Sequence, residues 1–155
     1  MAGCEAYLSA GVIHNKMLVK EIMSKRLVMV APGASVFDAV KSMVENRISG
    51  VVVEDAKRAA GMLTMRDVCS RVIVGGRDAR RTSVAEVMTQ PVVTVPLLGT
   101  VEDAAQLMGE RRIKRLVVVD EKDRALGVVT AMDIVSSLPG LLDVMFKTWV
   151  KPEWR

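Results

Sequence analysis

Histidine occurs once in this chain of 155 residues, cysteine twice, and aromatic side chains make up 3%. A single histidine, His14, rules out a His-rich metal centre and leaves any histidine-based catalytic triad one candidate. Two cysteines, Cys4 and Cys69, exclude a disulfide framework and a four-cysteine zinc site. So few aromatics leave almost nothing from which to build a stacking platform for single-stranded nucleic acid. No run approaches the ~20 uncharged apolar residues of a membrane span. The start, Met1-Ala2-Gly3-Cys4-Glu5, lacks the basic and apolar stretches of a secretory signal. Free thiols without an export signal make the cytoplasm the expected compartment. Asn15, Asn46, Gln90 and Gln106 are the full set of side-chain amides, a shortage also found in thermophile proteins.

What is present is apolar: 50% of the residues, in a length that suits one domain or a pair of small repeats. Such a chain buries roughly two-thirds of its unfolded surface, so no metal or disulfide staple is required. The net charge of +4 is mild. It permits contact with an anion but falls short of a dedicated DNA-binding arm.

The chain repeats itself. Val19-Lys20-Glu21-Ile22-Met23-Ser24 returns 65 residues later as Val84-Ala85-Glu86-Val87-Met88-Thr89. At the same offset Ser35-Val36-Phe37-Asp38-Ala39 meets Thr100-Val101-Glu102-Asp103-Ala104, and Arg47-Ile48 meets Arg112-Ile113. One inserted residue then moves the offset to 66, where Gly61-Met62-Leu63-Thr64 matches Gly127-Val128-Val129-Thr130 and Asp67 matches Asp133. Shared hydrophobic periodicity would not reproduce polar residues at fixed positions, so this is a duplication.

Each copy reads as β-α-β-β-α, an α+β unit. Leu27–Val30 and Val92–Val95 are short β-branched runs beside Pro and Gly signals. Ser35 and Thr100 open helices, with Asp38 and Asp103 placed for capping boxes. Val51–Val53 and Leu116–Val119 predict buried strands, followed by charged turns at Glu54–Arg58 and Asp120–Arg124. Gly61–Leu63 and Gly127–Val129 then complete hairpins, and Thr64–Val74 and Thr130–Leu138 predict helices. The expected organisation is an N-terminal extension (1–17), copy one (18–74), a linker (75–82), copy two (83–138) and a C-terminal extension (139–155). Each copy exposes an apolar sheet face that is expected to pack on the other as a pseudo-twofold pair. Cys69, beside Val68 and Val72 on a predicted helix, is expected to be a buried thiol.

Gly61-Met62-Leu63-Thr64-Met65-Arg66-Asp67 and Gly127-Val128-Val129-Thr130-Ala131-Met132-Asp133 resemble the tandem CBS (cystathionine-β-synthase-type) domain pair, or Bateman module. Met23-Ser24 and Met88-Thr89 opening the copies, with Arg47-Ile48-Ser49-Gly50 and Arg112-Ile113-Lys114-Arg115-Leu116, extend that resemblance from about Leu18 to Ser137.

The residues themselves agree with a ligand site. Thr64 and Thr130 end a strand and begin a helix, where free N–H groups and a partial positive charge suit a phosphate or hydroxyl. Asp67 and Asp133 are acceptors of the kind that hold a ribose diol. Leu27, Val28, Ile48, Val92, Val93 and Ile113 can line a flat slot for a base. Thr-x-x-Asp is also a plain capping box, so the residues alone leave cap and ligand site both open.

The resemblance implies a nucleotide in a cleft between the copies. Thr130 and Asp133 would serve a pocket with Ser24, Arg26, Leu27, Val28, Ile48 and Ser49. Thr64 and Asp67 would serve one with Thr89, Pro91, Val92, Val93, Ile113 and Lys114. Arg47, Arg112 and Lys114 lie near the implied phosphate position, or are solvated surface charges. The first pocket departs from the family's pattern, because Lys25-Arg26 lacks the proline that Pro91 supplies in the second copy. The expected function is a regulatory module that senses an adenosine nucleotide, AMP first among AMP, ADP and ATP, without catalysis of its own. A homodimer and a separate regulated protein are the expected partners, with neither membrane nor nucleic acid. The alternatives are a sensor of S-adenosylmethionine or a relative, and a protein- or nucleic-acid-interaction module built on the +4 charge.

Overall fold

The structure, a computed structural model, describes residues 17–137. The two extensions, with Cys4, His14 and the apolar stretch 141–149, lie outside the described residues.

Copy one comprises α1 (Val19–Ile22), β1 (Met29–Val30), α2 (Val36–Glu45), β2 (Gly50–Asp55), β3 (Arg58–Thr64) and α3 (Met65–Asp67), which continues as a π-helical segment over Val68–Ile73. Copy two comprises α4 (Val84–Val87), β4 (Thr94–Pro96), α5 (Val101–Arg111), β5 (Arg115–Val119), β6 (Ala125–Thr130) and α6 (Ala131–Ser137). Each copy forms a three-stranded sheet, ordered β1-β2-β3 and β4-β5-β6, with its first pair parallel and its hairpin antiparallel. The two-residue turn of the first hairpin places Ala56 and Lys57 at φ 47° and 64°. Positive φ at both central residues gives a turn whose twist matches that of the flanking strands. Among the described residues no helix is long and apolar enough to cross a membrane.

The strands are apolar on both faces because both faces are covered. Between the sheets, Val52 and Met62 meet Val117 and Val119, flanked by Leu27, Val92 and Val128. On the outer face of the first sheet, Val51, Val53 and Leu63 pack under Val36, Ala39 and Met43 of α2. On that of the second, Leu116, Val118 and Val129 pack under Val101, Ala104 and Met108 of α5. Each fully buried valine or leucine contributes roughly 1.5–3 kcal/mol.

The structural halves do not coincide with the sequence copies. Val84, Val87 and Met88 of the second copy belong to the first core, and Val19 of the first copy belongs to the second, with Ile22 and Met23 packed against it. Backbone bonds repeat the exchange. Val19 N–H donates to Gly99 O and Val101 N–H to Met17 O; correspondingly, Val84 N–H donates to Ala34 O and Val36 N–H to Thr82 O. Ser24 bridges to Val128 of β6, and its counterpart Thr89 bridges to Met62 of β3. Each copy therefore lends its opening segment to the other sheet.

Several sequence expectations need correction. The charged turn expected at Glu54–Arg58 is only Ala56–Lys57, since β2 runs to Asp55 and β3 starts at Arg58. The first strand of each copy is shorter and starts later than Leu27 and Val92 predict, because its parallel pairing begins only at Met29 and Thr94, while Leu27 and Val92 pack in the layer between the sheets. A one-turn helix, α1 or α4, precedes each expected β-α-β-β-α unit. Cys69 is exposed, not buried. Successive residues of a helix point in different directions around its axis, so burying Val68 and Val72 on one face turns the residue after Val68 off that face. Segment 75–82, expected to be a linker, is tied to copy one: Arg77 N–H donates to Val72 O, and the Arg80 guanidinium lies 3.7 Å over the Phe37 ring.

Candidate functional site

Two cavities open between the copies, related by the same pseudo-twofold. The first, of about 220 Å³, is lined by Ser24, Arg26, Leu27, Val28, Arg47, Ile48, Ser49 and Thr130, with Gly50, Met62, Arg115 and Val128 among the remainder. The second, of about 400 Å³, is lined by Thr64, Asp67, Thr89, Val92, Val93, Arg112, Ile113 and Lys114, together with Ser49, Met62, Met65, Arg66 and Arg115. Small-molecule sites span roughly 300–1,000 Å³, so the second falls inside that range and the first below it.

Most residues picked out from the sequence come together as two sets. Two do not: Asp133 is absent from the lining of the first cavity and Pro91 from that of the second. Arg115, Met62, Met65 and Arg66 were not picked out. Arg115 carries a readable signal, since it faces Gly50 at the repeat offset and so breaks the match.

The strand-to-helix corners repeat in detail. Asp67 Oδ2 accepts from the Thr64 backbone N–H at 2.9 Å and from its hydroxyl, while Asp67 N–H donates back to Thr64 Oγ1. Asp133 Oδ2 accepts from Thr130 N–H and Oγ1, both at 2.7 Å. These are complete capping boxes, each satisfying donors that a helix start otherwise leaves open. At Ser35 and Thr100 only the forward half forms: the hydroxyl accepts from Asp38 N–H or Asp103 N–H at 3.1 Å.

Asp67, which is buried, has its second oxygen engaged too. Oδ1 accepts from Thr89 Oγ1 at 3.1 Å and pairs with Arg71 Nη2 at 3.4 Å. Arg71 also donates to Val87 O and Met88 O, fastening the end of α4 to the π-helical segment. The repeat sets Ser137 where the first copy has Arg71, and Ser137 bonds only back to Ile134 O. Among the described residues Asp133 Oδ1 has no hydrogen-bond partner.

Cations dominate both rims. Arg47 and Arg112 each sit in the left-handed region at φ 54°, two residues past the end of α2 and one past the end of α5 respectively. An arginine there costs roughly 1–2 kcal/mol over a residue without a Cβ. Arg26 Nη2 donates to Asn46 Oδ1 at 3.0 Å, and Arg115 Nη2 to Ser49 Oγ at 3.0 Å. Burial pushes the Arg115 guanidinium below its ordinary pKa, opposed by the negative charge of Asp67.

A CBS domain family model matches residues 19–74 and 84–140. The CBS domain-containing protein YhcV of Bacillus subtilis is 33% identical over 116 residues, which are 75% of this chain and 81% of that protein. The chain spans 64%, 81% and 52% of the length of three curated relatives it matches. A CBS domain protein of unknown function, TA0289 from Thermoplasma acidophilum, superposes at TM-score 0.74 with 31% identity, covering 87% of this chain and 78% of that one. The CBS domain pair of protein MJ0100, solved with 5-methylthioadenosine and S-adenosyl-L-methionine, superposes at TM-score 0.69 with 27% identity, over 76% of this chain and 92% of that one.

Proposed function

The chain belongs to the CBS domain family, as a tandem pair of the kind that forms regulatory ligand-binding modules, and from that premise we propose that it senses an adenosine nucleotide, AMP first, in the cavities between its copies. One observation carries the reading. The larger cavity combines an apolar slot (Met62, Val92, Val93, Ile113), a helix start at Thr64–Asp67, and four cationic side chains, Arg66, Arg112, Lys114 and Arg115. A base fits the slot, a ribose hydroxyl meets Asp67 in place of the Thr89 hydroxyl, and phosphate lies against the cations.

S-adenosylmethionine or methylthioadenosine is the second reading, favoured by the ligands of the MJ0100 domain pair. Charge separates the two. Methylthioadenosine has no phosphate for the cations to meet, and S-adenosylmethionine sets a sulfonium and an ammonium cation beside its single carboxylate. ADP and ATP fit the same scheme with a longer phosphate arm. No residue is proposed to do chemistry; the output is a change in how the copies sit, passed to a separate protein or across a homodimer. Support for a homodimer comes from Ile73, Val74 and Met132, large apolar side chains exposed on or beside the helices that follow each Thr–Asp corner.

Calorimetric titration with AMP, ATP, methylthioadenosine and S-adenosylmethionine tests the reading. AMP or ATP is expected to bind at least tenfold more tightly than methylthioadenosine, with affinity falling as salt screens the rim. Absence of binding by any of the four at millimolar concentration removes it.

A further inference from the structure

Arg115 begins β5 at the position that Gly50 holds at the start of β2. The two positions meet near the pseudo-twofold axis: a Cβ on Gly50 would lie 2.4 Å from Nη1 of Arg115. There is room for one large side chain at this meeting point, and the glycine supplies it through its size. Arg115 lines both cavities, as do Ser49 and Met62. Its guanidinium, half-buried, has the Ser49 hydroxyl as its one hydrogen-bond partner among the described residues, and it makes no ion pair there. Asp67, the negative charge that acts on it, is already paired with Arg71. A guanidinium offers five N–H donors in a fixed plane, so Arg115 keeps a fork with which to grip an anion, but only one.

We propose that Arg115 is a single phosphate-gripping side chain shared by the two cavities, so that a phosphate-bearing ligand in one weakens binding of the same ligand in the other. This rests on the nucleotide reading above. A phosphate in the second cavity turns the fork away from Ser49 and toward Lys114 and Arg112; a phosphate in the first turns it toward Arg47. The loser keeps its slot and helix start but forfeits a charge-assisted contact, which is worth at least a decade of affinity. The coupling is reciprocal, since each occupant lowers the other's affinity by the same factor.

The test is calorimetric titration with AMP, and with adenosine as the phosphate-free control. Arg47→Glu and Arg112→Glu, both at exposed rim positions, each close one cavity to phosphate without touching the core. In the parent, the second AMP is expected to bind at least tenfold more weakly than the same cavity binds it when the other is closed. In Arg115→Met and Arg115→Gln that ratio is expected to fall within twofold, while adenosine shows no antagonism in any variant. A ratio unchanged by both substitutions, or equal antagonism with adenosine, overturns the sharing of Arg115 but leaves the nucleotide reading standing. AMP binding in only one of the two closed variants likewise overturns it. AMP binding in neither, nor in the parent, removes both.

Discussion

The two cavities are framed by corresponding residues, yet one measures about 220 Å³ and the other about 400 Å³. Arg47 and Arg112, Ile48 and Ile113, Ser24 and Thr89, and Thr130 and Thr64 occupy matched places. The differences are few. Leu27 fills space where the second cavity has the smaller Val92, and Ser49 stands where it has Lys114. Asp67 is fastened by Arg71, whereas the repeat gives Asp133 only Ser137 at that place, and Ser137 bonds back to Ile134 O. A duplication thus supplies a frame twice, and a handful of side chains gives its two copies different size and charge.

The sharpest break in the symmetry should come at the glycines that let the exchanged segments approach. A Cβ on Gly127 would lie 2.5 Å from the Ser24 carbonyl oxygen, which is backbone; one on Gly61 would meet the flexible Met88 sulfur at 2.5 Å. Gly127→Ala is expected to cost about 3 kcal/mol and Gly61→Ala about 1 kcal/mol, read by urea denaturation. Next comes Arg71→Ala, which strips partners from Asp67 and from two backbone carbonyls at once. It is expected to cost about 1.5 kcal/mol, discounted for the partial exposure of the arginine, whereas Ser137→Ala is expected to cost less than about 0.5 kcal/mol.

Arg112→Gly separates ligand contact from folding. Relieving the left-handed strain is expected to leave stability unchanged or raised by up to about 1 kcal/mol, while AMP affinity at the second cavity falls about tenfold. Equal affinity in parent and variant would return Arg112 to the solvated surface. The smallest effect concerns the exchanged helices. Ser83 holds the Glu86 carboxylate below the ordinary range through hydrogen bonds from its backbone and hydroxyl, whereas α1 has Leu18 at that place and no side-chain cap. A carboxylate whose pKa is lowered on folding contributes stability that is complete at neutral pH and is lost as pH falls through that lowered value. Glu86→Gln is therefore expected to lower the melting temperature slightly at pH 7, with the difference shrinking as pH is lowered; Glu21→Gln is expected to leave it unchanged throughout.

The sequence made the two sheets, their hairpins and both Thr–Asp corners legible, because repeat offset, turn residues and strand patterning agree at each of them. The π-helical segment was not legible, as Val68–Ile73 carries no marker distinguishing it from an ordinary helix. Nor was the exchange of α1 and α4. Burial of Val19 and Val84 follows from their apolar character, but a pattern records that a residue is buried and not which copy buries it. For the site, the repeat brought out most of the lining. Arg115 lay outside it because matched positions mark the lining, and here a glycine answers an arginine.

The exchanged segments also bear on how the chain reaches this state. Val19 must find Gly99, and Leu18 must find Thr100, so the second core cannot close until some eighty residues of intervening chain have been looped out. The first core waits likewise for Val84, Val87 and Met88. On a ribosome the first core therefore waits for α4 to emerge after its last strand, and the second, which needs residues as late as Ile134, must draw Val19 back from the opening segment. Such long-range closure slows the search relative to folding each repeat in turn. It also denies either copy a complete core of its own, so the chain matures as one unit although it was built from two.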